Sequence, residues 1–518
     1  MKSNRVKNTV LNAIVMILNT AIISILSLIS TNIILKNYGS DYNGVVATAN
    51  QLVTLILIVE GGFTTAINVA LFKPYVNDEQ KKINEIMTAA KKVFIKIGLI
   101  FIAIGTLMSI IYPIFIKSNL PYLTIFLIFQ MVMIGTAYNL IFVYRNQIMF
   151  QVSQKEYVYS FFGIIINALS SITTIILAYN KVDMLIIRFF ILVYIIINGI
   201  IIYSLFKRTF PKIENAEPDY HSIKGTKDIM VQKLTSVIYL SAPLLTISTF
   251  INTKVASVYA VYNSIYNIIK SVITSLIAAP VNGFGQLLSN GKKKEVYKKF
   301  ELYEYIVILA ATLLLSCVLS LIIPFIKLYT LSVTDINYVN YYMAILLAAI
   351  VMFEVIHIPS GHIINVTGNF KAAKKIQIYA SIILITLLSI GTYMWQIKGI
   401  LIATLITNIV LAIMEIYYTH IKIFEEKIIR FTIKLFVNII IIMILAISFN
   451  MLNIKVNNYI IFFVTGGIIF TTYTIIIFII NYVLFKKDIT NIVLIFKRKN
   501  QWKMISWFFI LKKYKNSV

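Results

Sequence analysis

Long apolar runs decide what this chain can become. Fourteen stretches of about 20 residues or more, separated by charge clusters and turn residues, are apolar on every helical face. A water-soluble core cannot enclose that many all-round apolar segments, whereas a bilayer can. Only helices and closed barrels cross hydrocarbon, because an unpaired backbone group there is too costly. Barrel strands alternate apolar and polar residues, and these runs do not. Charged residues make up 13% of the chain, half of what a soluble domain carries. The fold class that follows is an all-α polytopic membrane protein of about 14 transmembrane helices.

The spans fall at 10–35, 44–72, 93–116, 121–144, 158–179, 184–206, 232–252, 255–288, 303–328, 339–366, 376–396, 398–420, 431–453 and 458–485. Basic residues orient them. With the N-terminus in the cytoplasm, the inside segments and adjoining helix ends hold 38 of the 47 Lys and Arg. Seven short outside loops hold one each: Lys36, Lys117, Lys181, Lys254, Lys327, Lys398 and Lys455. The two left over, Arg188 and Lys270, lie within runs. The asymmetry never inverts, so both termini are expected in the cytoplasm of a bacterial plasma-membrane protein. The net charge of +27 is thereby a topology signal, not a nucleic-acid patch. The lone Cys317 excludes a disulfide and a thiolate metal site. The first run is too long for a signal-peptide core and reads as a retained helix.

The halves resemble each other. A shift of 211 places Pro113 on Pro324 and Lys81-Lys82 on Lys292-Lys293. Matching helices share orientation, which implies two parallel six-helix repeats forming two lobes plus a C-terminal helix pair. The expected divisions are an N-terminal lobe at 1–206, a cytoplasmic linker at 207–231, a C-terminal lobe at 232–420, a helix pair at 421–485 and a basic amphipathic tail at 486–518. The tail suits anionic membrane lipids.

Ionisable groups within spans are the candidates for function. Glu60 and Lys270 take matching places in the two repeats. Facing each other they could exchange a proton (Glu60) and hold an anion (Lys270), or serve only to dock the lobes. Glu354 and His357 share a helix face and could relay protons or simply bond neighbouring helices; His362 follows on the same helix. Arg145, at the inner end of its helix, suits either phosphate capture or anchoring, and Arg188 suits substrate contact or snorkelling. Lys36 and Asp41 read as turn residues. Glu60 and Glu354 are the clear mid-depth acids. No GxxxxGK[ST], GxSxG or HExxH motif occurs, so neither an ATPase, a cofactor nor a metal is implied.

Helix 1 leads into LKNYGSDYNGVVATANQLV, whose Gly39 and Gly44 match an "lG...yG" pattern. With the six-six-two arrangement and lysine-rich inside loops, the chain resembles the polysaccharide-transporter (Wzx-type flippase) branch of the multidrug/oligosaccharidyl-lipid/polysaccharide exporter superfamily. The resemblance implies a monomeric flippase, not an enzyme. Its substrate would be an undecaprenyl-diphosphate-linked glycan, supplied and consumed by glycosyltransferases and a polymerase. Lys270 and Arg145 would meet the diphosphate. Lipid II flippases and multidrug or cation exporters share the architecture. A glycan polymerase or ligase would need a larger outside loop than any here.

Overall fold

A computed structural model describes residues 2–60, 62–223, 227–278, 284, 293–452, 454 and 456–497. Among them the chain forms helices and no strand, as backbone pairing in hydrocarbon requires. The helices are α1 (2–38), α2 (40–56, prolonged by a tight turn Leu57–Glu60 and by Phe63–Val76), α3 (Gln80–Phe115), α4 (Tyr122–Val152), α5 (Glu156–Tyr179), α6 (Met184–Thr209), α7 (Lys227–Thr246 with a π-helical turn Ile247–Ile251) and α8 (Thr253–Ala278). They continue as α9 (Lys293–Tyr329), α10 (Tyr341–Val366), α11 (370–395), α12 (397–417 with a π-helical segment Tyr418–Phe424), α13 (Ile429–Met451), α14 (Tyr459–Leu484) and a short α15 (Lys486–Lys497). Each expected span is matched by a helix, to within a few residues at most ends; of the 255–288 span, 279–283 and 285–288 lie outside the described residues.

Eleven described stretches are long and apolar enough to cross a membrane. Two of them, Leu18–Glu60 (43 residues) and Phe370–Phe424 (55 residues), suffice for two crossings each at about 1.5 Å per residue. They are divided by single residues: Gly39 (φ 83°, ψ 172°) between α1 and α2, and Gln396 (φ 48°, ψ −126°) between α11 and α12. The turn expected around Lys36 and Asp41 thus contracts to one glycine, whose missing Cβ admits the positive φ. Around Gln396 the helix backbones touch. A Cβ on Gly399 would lie 1.9 Å from the Gly391 carbonyl oxygen, so hydrogen alone fits.

The repeat is visible in a matching pair of helices. α3 and α9 have 36 and 37 residues, and each carries its proline, Pro113 or Pro324, in its last two turns. Both exceed a hydrocarbon thickness of about 30 Å, so their lysine-rich ends project beyond it.

The contacts form two compact units, 1–260 with 332–337, and 261–331 with 338–518. In the first, Phe94, Phe101, Phe129 and Phe150 centre a core drawn from α1 to α7. The linker lies along α3: Ala216 N donates to Thr88 Oγ1 at 3.0 Å, and Lys82 Nζ meets Asp219 Oδ2 at 2.7 Å. In the second unit, Cys317 is a packing residue among Ile441, Leu445, Phe449, Ile469 and Tyr473, which fastens α13 and α14 to α9. Polar groups act as glue there: Tyr305 OH donates to Asn481 Oδ1 at 2.8 Å, as does Asn438 Nδ2 at 3.1 Å. Ile460 and Phe463 on the opposite face are 76% and 73% exposed, the pattern of a lipid-facing helix. Of the tail, 498–518 lies outside the described residues.

Candidate functional site

Helix rise places the ionisable groups in depth. Counted from the short-loop end of each helix, Glu60, Lys270 and His357 lie about 24–32 Å in, Glu354 about 20 Å in, and Arg145 about 35 Å in. Arg188 stands at the short-loop end, one turn into α6.

In the first unit, α2 breaks at Glu60 because Gly62 takes a left-handed conformation (φ 81°). The Glu60 carboxylate accepts from the restarted helix, from Thr64 N at 2.6 Å and Gly62 N at 3.3 Å, and pairs with Lys233 of α7. A buried carboxylate is tolerated on these terms. Arg145 is half-buried two residues after a π-helical turn, Asn139–Val143. It donates to Asn146 Oδ1 at 3.2 and 3.3 Å and lies over the Phe206 ring at 5.4 Å. It makes no ion pair among the described residues. Arg188 donates to Tyr42 OH at 2.8 Å and stacks on the same ring, tying α6 to α2.

At the short-loop end of this unit, a cleft of about 340 Å³ is lined by Asp41, Lys117, Ser118, Asn119, Asn252, Thr253 and Lys254. Asp41, read from sequence as a turn residue, is a buried hub. It accepts from Ser118 Oγ (2.9 Å), Asn119 N (2.7 Å) and Thr253 Oγ1. Asp335 accepts from Ser40 N (2.9 Å) and Ser40 Oγ (2.7 Å) and lies 3.8 Å from Lys254 Nζ. Asn43 Nδ2 donates to Ser257 Oγ at 2.8 Å. These bonds join segments from both sequence repeats and seal this end.

In the second unit, Lys270 pairs with Glu354 at 2.7 Å. Glu60 and Lys270 therefore each find a partner inside their own unit. The expected Glu354–His357 relay is split as well, since His357 Nδ1 lies 2.8 Å from Glu415 Oε2 of α12. Gly361 makes that approach possible: a Cβ there would lie 2.6 Å from the carboxylate. One turn further along α12, His420 Nε2 lies 3.1 and 3.2 Å from the two Glu304 oxygens of α9, and Ser360 Oγ donates to Glu304 at 3.3 Å. Both side chains of the His420–Glu304 pair are 1% exposed. The π-helical segment Tyr418–Phe424, with its one extra residue per turn, is what turns His420 inward.

Glu304, Glu415, His420 and Lys233 escaped the sequence reading because each stands near an inner span end, where charge looks like topology. The available signal was Glu415, an acid five residues inside the expected 398–420 span. No cluster of three His, Cys, Asp or Glu able to hold a metal occurs among the described residues.

The sequence matches no family model, and no curated protein matches it. Solved structures do share its fold. A lipid II flippase, MurJ, in an inward closed conformation is 13% identical with a TM-score of 0.67, over 90% of this chain and 99% of that one. An inward-facing multidrug resistance MATE family transporter of the MOP superfamily is 12% identical with a TM-score of 0.58, over 82% and 95%. The MATE multidrug transporter DinF-BH is 13% identical with a TM-score of 0.53, over 81% and 97%. The chain is therefore a multi-pass helical membrane protein with the flippase and exporter fold.

Proposed function

We propose that this protein is a flippase that carries an undecaprenyl-diphosphate-linked oligosaccharide from the cytoplasmic to the outer leaflet by alternating access. The polar head of such a lipid cannot cross hydrocarbon unaided, whereas its tail can stay there. A fold shared with a lipid II flippase suits that cargo. The observation that carries the reading is how the charges are committed. Glu60 and Glu354 already pair with lysines, so neither is spare for an organic cation, which weighs against a drug exporter. Arg145, near the lysine-rich end where substrate would enter, keeps guanidinium donors for a diphosphate, since it bonds only Asn146 and a ring among the described residues. Lys270, once the diphosphate displaces Glu354 from it, and, at the exit end, Arg188 complete the proposed substrate contacts. Glu60, Glu354 and His357 are the proposed ion-coupling groups. Without an ATPase motif, a gradient, the membrane potential or consumption of product must drive transport.

The test is a deletion strain complemented with Arg145→Ala or Lys270→Ala. Loss of surface glycan on deletion, and at least a tenfold loss of export with Arg145→Ala at equal protein level, are expected. A deletion strain that displays all its glycans and becomes drug-sensitive overturns the flippase reading.

A further inference from the structure

The second unit holds two carboxylate–imidazole pairs that neither the sequence motifs nor the proposed substrate contacts explain. His420–Glu304 is the more enclosed. Phe300, Phe431 and the Tyr297 ring surround the imidazole at centroid distances of 5.9, 5.8 and 5.7 Å. Its Nε2 faces both Glu304 oxygens, and its Nδ1 lies 3.4 Å from the Tyr297 hydroxyl. Tyr297, in the first turns of α9 at the lysine-rich end, is half-buried, whereas the pair it meets is enclosed. Two neighbouring bonds fasten the same segment: Thr419 Oγ1 donates to the Ser360 carbonyl at 3.1 Å, and His357 meets Glu415 at 2.8 Å.

Charge counting gives this arrangement a function. A neutral imidazole beside a carboxylate carries one net negative charge, and one added proton cancels it. In a site closed to water, an uncompensated charge must be met by protonation, by water entry or by separation of the helices. We propose that the His420–Glu304 pair, with Tyr297 as its entrance and His357–Glu415 as a companion on the same helices, is a proton-binding site whose occupancy holds the end of α12 against α9 and α10. Uptake balances at the hydroxyl: Tyr297 passes its proton to His420 Nδ1 while a hydronium ion returns one to the Tyr297 oxygen and leaves as water. Nε2–H meanwhile donates to Glu304. Release reverses these transfers, leaves the pair with its negative charge and loosens the π-helical segment.

Other charges near the site are Glu301 from α9, which acts on Glu304 and Tyr297, and Arg430 from α13 and Glu426 after α12, which act on Tyr297. Lys434 is held by Glu301 (3.3 Å) and Asp488 (3.0 Å). His362 of α10 neighbours the companion pair. Coupling this site to transport rests on the flippase reading; the site itself does not.

The experiment is hydrogen exchange of the purified full chain in lipid nanodiscs, without substrate, across about pH 5 to 8.5, corrected for intrinsic rates. Protection of residues 418–426 is expected to fall about tenfold as pH rises, relative to a peptide from α4, and this response should vanish in Glu304→Gln and in His420→Gln. Tyr297→Phe, which leaves the pair in place, should slow the response to a pH jump without changing its endpoint. A pH-independent 418–426 in the native protein, or an unchanged response in both pair variants, overturns the proposal. A normal exchange response combined with lipid-linked glycan flipping that ignores an imposed pH gradient overturns the coupling alone. A normal response with no flipping overturns the flippase reading and supports the proton site.

Discussion

Replacing Gly44 with alanine should force open the short-loop end of the first unit. A Cβ at Gly44 would lie 1.8 Å from the Thr253 carbonyl oxygen and 2.6 Å from its carbonyl carbon. Both are backbone atoms, so no side chain can swing aside. Reaching a tolerable separation of about 3.0–3.4 Å requires α2 and the start of α8 to part by about 1.2–1.6 Å, and overpacking of this kind costs about 1–3 kcal/mol. The displacement also strains the Asn43–Ser257 and Asp41–Thr253 hydrogen bonds, each worth about 1 kcal/mol net. A total of about 3–5 kcal/mol, if both bonds are lost, shifts the balance between sealed and open forms by roughly 150- to 5000-fold. The assay is alkylation of a cysteine placed at Asn252, in the cleft, on a Cys317→Ala background with the purified protein in nanodiscs. Gly44→Ala should raise the alkylation rate by at least tenfold. Gly163→Ala, where an added Cβ meets nothing within 4 Å, should leave it unchanged. An unchanged rate in a folded Gly44→Ala protein refutes the claim that these loops form a seal.

Gly399→Ala should lower the Tm by several degrees in a thermal-shift assay, because its Cβ would meet the Gly391 carbonyl at 1.9 Å, whereas Gly467→Ala should not. Lys233→Ala strips a buried carboxylate of its partner and should destabilise by more than Lys233→Ala combined with Glu60→Gln; a double variant no more stable than the single one contradicts a charge-pairing role. Lys82 beside Asp219, with the Ser222 hydroxyl, holds the Asp219 carboxyl well below the ordinary carboxylate range. A depressed folded value stabilises above the unfolded value of about 4 and is lost as pH falls below it, so exchange protection of linker residues 210–223 should persist at neutral pH, decline in acid and be missing throughout in Asp219→Asn.

The helix count and order were legible because hydrophobic length alone specifies a crossing. The one-lysine loops kept the count in step, and helices stand where the runs are. Gly39 was visible as a glycine in a turn; that the turn is one residue long was not, since a single left-handed residue leaves no compositional trace. Gln396 shows this more sharply, because glutamine carries no preference for φ 48°. Glu60, Lys270, Glu354 and His357 stood out by being ionisable inside apolar runs. Their partners did not, because pairing depends on helix rotation and on which helices become neighbours.

What the sequence determined by itself is therefore one-dimensional: which segments are apolar, how long they are, how basic residues alternate between their ends, and that two halves repeat. Hydrophobic transfer and backbone desolvation act segment by segment, so these survive without neighbours. The tertiary structure alone decided that Asp41 is a buried hub, that Glu60 pairs with Lys233 and Lys270 with Glu354, and that a π-helical segment aims His420 at Glu304. Those contacts join residues 77 to 212 positions apart, and only packing selects them.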